Sequence, residues 1–317
     1  MELVRTKFGP RGVLKTKATD VDDPTVDPAF GRVGKQIIEN TGPLDTKRME
    51  TIDEEFLAAA KDFITRQQQT NKPWFCYFNT TRMHIFTHLK KESQGVTGLG
   101  VYPDGMTDGH VGQLLKLLDD LGAADNTIVV YTTDNGAETV TWPDGGSTPF
   151  RGEKATNWEG AFRVPCLIRW PGIIKPGTVV NDICAHEDFI PTFAAVAGDP
   201  NLVDEVRKGR TLNGKSFKVH LDGSPEAPVG VWTGQFTKLR VPKLYNLRSD
   251  PFERGPESIE YALWMTHRVF IQVPAQALVA KYLDSFKDFP PRAHVRFVPK
   301  ADNSIFQLRL KYPLTRR

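Results

Sequence analysis

The sequence predicts an α/β protein, a mainly parallel sheet with helices on both faces, followed by a reduced C-terminal region. Three observations carry this. The short apolar run WFCYFN (74–79) reads as a buried strand, and an amphipathic pattern over about 107–121 reads as a helix. The β-branched run TIVVYTT (127–133) then has the composition of a strand covered on both faces in a parallel sheet. Strand, helix, strand in that order is a βαβ unit, and repeated βαβ units build such sheets.

Taken in order, residues 1–50 are rich in Gly, Pro, Asp and Thr without a sustained period, so they are expected to lean on other parts of the molecule rather than form elements. A helix opens at Thr51, where Thr51 and Glu54 have capping-box spacing. Ile52, Phe56, Ala60, Phe63 and Ile64 line one face of it. The second helix carries Val111, Leu114, Leu115, Leu118 and Leu121 on its stripe, with Gly122 at its C-terminal end. RVPCLIRWP (163–171) supplies a third strand, and HEDFIPTFAAVAG (186–198) a helix ending at Gly198. Residues 199–245 are polar and weakly periodic, and 259–289 are helical again with a break at Pro274. Two regions follow from this: a core over 1–200 and a smaller C-terminal region over 201–317.

Lys plus Arg number 41 against 38 for Asp plus Glu, a net charge of +3. That balance gives no footing for nucleic-acid binding or attachment to an acidic membrane surface. The basic residues Arg309, Lys311, Arg316 and Arg317 read as a solvated end. No run approaches the roughly 18 apolar residues of a spanning helix. The opening MELVRTKFGPRG has no apolar core of a signal peptide. Three scattered cysteines, Cys76, Cys166 and Cys184, make neither a disulfide framework nor a zinc cluster. Cys76 and Cys166 lie in apolar runs and read as buried, inert thiols.

Three segments carry chemistry. Thr133-Asp134-Asn135-Gly136 follows the strongest strand, and ligands in open α/β sheets sit beyond the carboxyl ends of strands. Asp134 and Asn135 present a carboxylate and an amide oxygen side by side, a donor pair for a hard cation such as calcium or magnesium. An ordinary Asx turn is the competing reading. Lys154, in a loop after Gly152, is placed to neutralise an anionic oxygen, against the plainer reading of a surface lysine. His84 follows the run 74–79 and suits a general acid, a structural histidine being the alternative. His88 lies four residues on, but no Glu follows His84 in the zinc-protease manner, so a zinc site is set aside.

In combination these segments resemble the sulfatase branch of the alkaline-phosphatase superfamily. The similar stretches are the strand with its DNG turn, the segment Gly152, Lys154, Glu159-Gly160, Arg163 and Pro165, and the helix Asp188, Pro191-Thr192, Ala197-Gly198. LYNLRSDPFE (244–253) and YPDGMTDGHVGQLLKLLDDLGAADNT (102–127) look like sulfatase segments as well. The resemblance implies an alkaline-phosphatase-like sheet and an arylsulfatase-type sulfuric ester hydrolase acting on a sulfate ester. It implies Asp134 and Asn135 as ligands of Ca2+ or Mg2+, Lys154 as the holder of a sulfate oxygen, and His84 as the group assisting departure of the alcohol. Intact members of the family are often periplasmic or secreted.

The chain departs from that pattern in specific places. The family's formylglycine comes from a cysteine in C-x-(P/A)-x-R, and Cys76, Cys166 and Cys184 all lack an arginine four residues on. The early Asp-Asp metal pair and the G-K-x-H segment have no match; Asp22-Asp23 is misplaced, and Gly34-Lys35-Gln36-Ile37 lacks the histidine. The resemblance also skips a stretch between residues 223 and 231. The sequence therefore reads as an arylsulfatase lacking its N-terminal third and inactive as it stands. A catalytically dead sulfatase-like protein that binds an anion or a partner is the first alternative. A phosphatase or phosphodiesterase of the same superfamily is the second.

Overall fold

The computed structural model describes residues 12–27, 31–70, 72–82, 84, 88–96, 109–138, 148–199, 217–222 and 238–287. The chain divides into two compact units. The first comprises Met1–Val130, Thr139–Gly146 and Ile168–Lys175; the second comprises Tyr131–Glu138, Ser147–Leu167 and Pro176–Arg317.

The first unit opens with a correction. Within the stretch expected to lack elements of its own, β1 (Gly12–Asp27) and β2 (Gly31–Pro43) form an antiparallel hairpin, with Leu14 opposite Asn40, Thr16 opposite Ile38 and Asp27 opposite Gly31. Most of both strands is exposed, Val21 and Val26 included. A strand wet on both faces needs no apolar alternation, so the periodic signal is missing while the backbone ladder still forms.

Helix α1 (Ile52–Gln68) follows and buries Ile52, Asp53, Leu57, Ala60 and Ile64. Its N-cap is Thr51, but the hydroxyl makes no capping bond. The expected capping box does not form because the Glu54 carboxylate is drawn instead to Lys90 and Arg82. Asp53, Glu54 and Glu55 in the first turn complement the positive end of the helix dipole.

Helix α2 (Gly109–Asp120) ends as its glycine predicts. Gly122 takes φ 63°; its N–H reaches the Asp119 carbonyl at 3.0 Å and the Ala123 N–H reaches that of Leu118 at 2.9 Å. This pair of bonds is a Schellman motif, and it presses Ala123 onto Leu118. Ile64, Leu118 and Ala123 form a buried cluster with Phe63, Trp74, Cys76, Leu114, Leu117, Leu121, Ala124 and Val129 packed around it.

The segment 74–79 is not the buried strand its composition predicts. Its side chains alternate, Trp74, Cys76 and Phe78 half-buried, Phe75 and Tyr77 exposed, but it is assigned to no strand.

β3 (Val129–Thr132) is shorter than the run 127–133, and it pairs with β4 (Cys166–Arg169) in a two-stranded sheet. The expectation of a strand enclosed on both faces is corrected here, since Tyr131 is exposed and the other three residues are half-buried. Cys166 is corrected likewise: it is exposed, because β4 shows its first three residues to solvent, while Cys76 is half-buried.

In the second unit a 3-10 turn at His186–Asp188 leads into α3 (Phe189–Val196), and Gly198 follows with φ 98°, close to the predicted end. β5 (Phe217–Asp222) and β6 (Lys238–Asn246) pair antiparallel, Val219 opposite Leu244. Leu244 and Tyr245 are fully buried. The Tyr261 hydroxyl donates to the Leu244 carbonyl and accepts from its N–H, both at 2.9 Å. Helices α4 (Tyr261–Thr266) and α5 (Gln272–Asp284) are separated by a turn at His267–Ile271, so the helical break does not lie at Pro274. Pro274 sits in the first turn of α5, where its missing N–H would have had no intrahelical partner. The basic residues 309–317 and the sequence between 223 and 231 lie outside the described residues.

Candidate active site

The turn after β3 and the loop bearing Lys154 are built as one piece of the second unit. The Gly136 N–H donates to the Ala161 carbonyl at 2.9 Å, and the Lys154 N–H donates to the Ala137 carbonyl at 3.1 Å. A third bond, Gly160 N–H to the Arg151 carbonyl at 2.7 Å, closes the Lys154 loop on itself. Glycine is required at this junction. A Cβ on Gly136 would sit 1.7 Å from the Gly160 carbonyl oxygen, and one on Gly160 would sit 2.1 Å from that of Gly152. Two left-handed residues, Gly152 at φ 71° and Ala155 at φ 66°, give the loop its curvature. The buried Thr156 hydroxyl pins it by donating to the Glu153 carbonyl at 2.6 Å.

A buried carboxylate supports the loop from behind. Glu253 is fully buried and adopts φ 55°, a conformation rare outside glycine. Its carboxylate accepts from the Glu159 N–H at 2.6 Å, and its carbonyl accepts from Arg151 Nη1 at 2.9 Å. The Arg151 guanidinium lies 4.1 Å from the centre of the buried Trp158 ring, and Tyr245 meets that ring edge-on at 6.0 Å. Burial pushes the Tyr245 hydroxyl well above its ordinary pKa, so it stays protonated. The sequence had presented Glu253 only as the last residue of a motif. Nothing in its spacing marked it as the strut of the Lys154 loop.

Within this arrangement Asp134 is exposed and Asn135 half-buried, and Thr133 Oγ1 donates to the Asn135 carbonyl at 3.4 Å. The Lys154 ammonium is 3.5 Å from Glu138 Oε1, a partner that sequence reasoning missed. Calcium takes roughly six to eight oxygen ligands and magnesium about six. Asp134 and Asn135 match such an ion in kind. They fall short in number, since among the described residues no group of three or more His, Cys, Asp or Glu side chains converges to hold an ion.

His84 belongs to the first unit, where it is exposed at the end of a loop anchored on α1. Asp53, fully buried, accepts from Thr81 N–H at 2.7 Å, Thr81 Oγ1 at 3.2 Å and Arg82 N–H at 3.3 Å. Arg82 Nη2 donates to the Glu50 carbonyl at 2.9 Å, and Arg82 Nε lies 3.5 Å from the Asp53 carboxylate. The His84 N–H closes the loop onto the Thr81 carbonyl at 3.3 Å. Asp53 sits beside the helical stripe at a position where a solvated acid is the default reading, so its burial was not legible. His88 is exposed. The three thiols are free and each pKa is raised: by desolvation at the half-buried Cys76, by partial desolvation at the more exposed Cys166, and by partial desolvation together with the Asp188 carboxylate at Cys184, which disfavours their thiolates.

The model of the sulfatase family matches residues 12–199, more than half of the chain. The chain belongs to the sulfatase family. As a sulfatase it is similar to the steryl-sulfatase of Rattus norvegicus, 39% identical over 161 residues, 48% of this chain and 28% of the relative. It is also 30% identical to the N-acetylgalactosamine-6-sulfatase of Homo sapiens over 266 residues, 69% of this chain and 51% of that protein. This sulfatase chain therefore spans about half, or less, of the length of these curated relatives. Among solved structures, a sulfatase from Pseudoalteromonas sp. superposes with a TM-score of 0.64 at 23% identity, covering 78% of this chain and 56% of that one. The fold is thus that of sulfatases.

Proposed function

We propose that the chain is part of an arylsulfatase-type sulfuric ester hydrolase, with Lys154 holding an oxygen of the sulfuryl group. Asp134 and Asn135 supply two hard oxygen donors toward a divalent cation, which when bound would offset negative charge on the transferring group. His84 protonates the departing alcohol oxygen. The observation that supports the reading is the pair of hydrogen bonds Gly136 N–H to Ala161 and Lys154 N–H to Ala137. They set the turn carrying Asp134 and Asn135 against the loop carrying Lys154. The role of His84 rests on the family resemblance alone. The finer architecture expected of the fold, a mainly parallel sheet flanked by helices with a core over 1–200 and a smaller region over 201–317, belongs to the same proposal.

What these residues do on their own is bind and orient. A covalent route needs an activated nucleophile, and the 317 residues contain no cysteine in C-x-(P/A)-x-R. The chain alone is accordingly proposed to bind sulfate esters without turning them over. A catalytically dead sulfatase-like protein that binds an anion or a partner is equally consistent with these 317 residues and stands as the second reading. Titration of the full chain with 4-nitrophenyl sulfate, followed by NMR, tests the binding role. Saturable shifts that are lost in Lys154→Ala are expected. Equal binding by both proteins would remove Lys154 from the site.

A further inference from the structure

The charge facing a ligand at Lys154 is not that of a lone lysine. Its ammonium lies 3.5 Å from Glu138 Oε1, with the two side chains only 28% and 16% exposed. The pairing is built into the backbone, because the Lys154 N–H bonds the Ala137 carbonyl, one residue before Glu138. An oxyanion that reaches Nζ therefore comes within a few ångströms of a carboxylate largely withdrawn from water, where screening is weak. A lone ammonium attracts a dianion more strongly than a monoanion. An ammonium with a carboxylate beside it gains little from a second negative charge, since that charge meets attraction and repulsion together. The distinction matters chemically: a sulfate monoester carries a single negative charge at neutral pH, whereas a phosphate monoester carries about −1.5 to −2.

We propose that Glu138 is a specificity-determining residue, its carboxylate tuning the Lys154 site to singly charged sulfuryl esters and against doubly charged phosphoryl esters. The inference rests on Lys154 being the oxyanion holder. Among the described residues, Arg151 reaches the Glu253 carbonyl, the Trp158 ring and Glu257, while Arg163 lies over Phe150 and beside Glu159. Asp134 adds a further negative charge to the same assembly.

The test titrates the full chain with methyl sulfate and with methyl phosphate at neutral pH in a chelating buffer, reading dissociation constants from NMR shifts. The wild-type chain is expected to bind methyl sulfate more tightly. Glu138→Gln is expected to move the affinity ratio about tenfold toward methyl phosphate. A wild-type preference for methyl phosphate, or an unchanged ratio in Glu138→Gln, overturns the proposal. The wild-type preference decides alone if the variant does not fold. Lys154→Ala separates the two levels: binding of both esters that survives it sinks the oxyanion role of Lys154. Binding lost in Lys154→Ala with a fixed ratio in Glu138→Gln sinks only the role of Glu138.

Discussion

At the scale of single residues, one buried carboxylate, Glu253, supports the Lys154 loop of the candidate site. Glu253 holds the Glu159 N–H from a fully buried position. Deleting such an acceptor strands a buried donor, so Glu253→Ala should lower stability by about 3 kcal/mol in urea unfolding, and Glu253→Gln by clearly less. Equal, small losses would mean the strut is unimportant. Glu54 gives a pH dependence. Burial works to raise its pKa, but the Lys90 hydrogen bond and the charges of Arg82 and Lys90 outweigh it, and the folded value lies below the ordinary one. The stability this provides is therefore present above the unfolded pKa and is lost as pH falls through the depressed folded value. Acid unfolding of Glu54→Gln should be shallower over that window, and an unchanged acid limb would contradict the assignment. Asp134, Asn135 and Lys154 were legible because a turn after a strand and a loop lysine leave local marks. Asp53, Glu138 and Glu253 were not, because their partners lie 16 to 102 residues away in sequence, beyond any local pattern.

At the scale of elements, legibility followed the kind of force that shapes each one. Helix α2 and its Gly122 terminus were readable because an apolar stripe and a left-handed C-cap are both local signals. The β1–β2 hairpin was invisible because its ladder is made by backbone, with both faces wet. The segment 74–79 shows the reverse case: its apolar composition predicted a strand, but it is assigned to none. Pro274 does not break the helical region for a positional reason, since a proline in a first helical turn is compatible with the start of a helix. The junction at Gly136 offers a sharp test. Gly136→Ala places a methyl group 1.7 Å from the Gly160 carbonyl, so the turn and the Lys154 loop must separate. We expect a loss of about 2–3 kcal/mol in stability together with weakened sulfate-ester binding. Gly112→Ala, on α2 with open space around it, should be stabilising by up to about 1 kcal/mol. A Gly136→Ala chain that binds like wild type would show that the two segments need not be locked together.

At the scale of the whole chain, family membership is shown, and the proposal adds a site that would bind a sulfate ester without a nucleophile among these 317 residues. The sulfatase match over residues 12–199 includes His84, Asp134, Asn135 and Lys154. It brings no cysteine in the sequence context that formylglycine formation requires, and the pKa values of the three thiols present are raised. Removing a nucleophile abolishes the covalent route rather than slowing it. The most direct measurement is therefore the rate of 4-nitrophenyl sulfate hydrolysis by the purified 317-residue chain, with and without added calcium. The account predicts a rate equal to that of a buffer blank in both conditions; turnover above the blank that disappears in Lys154→Ala would contradict it.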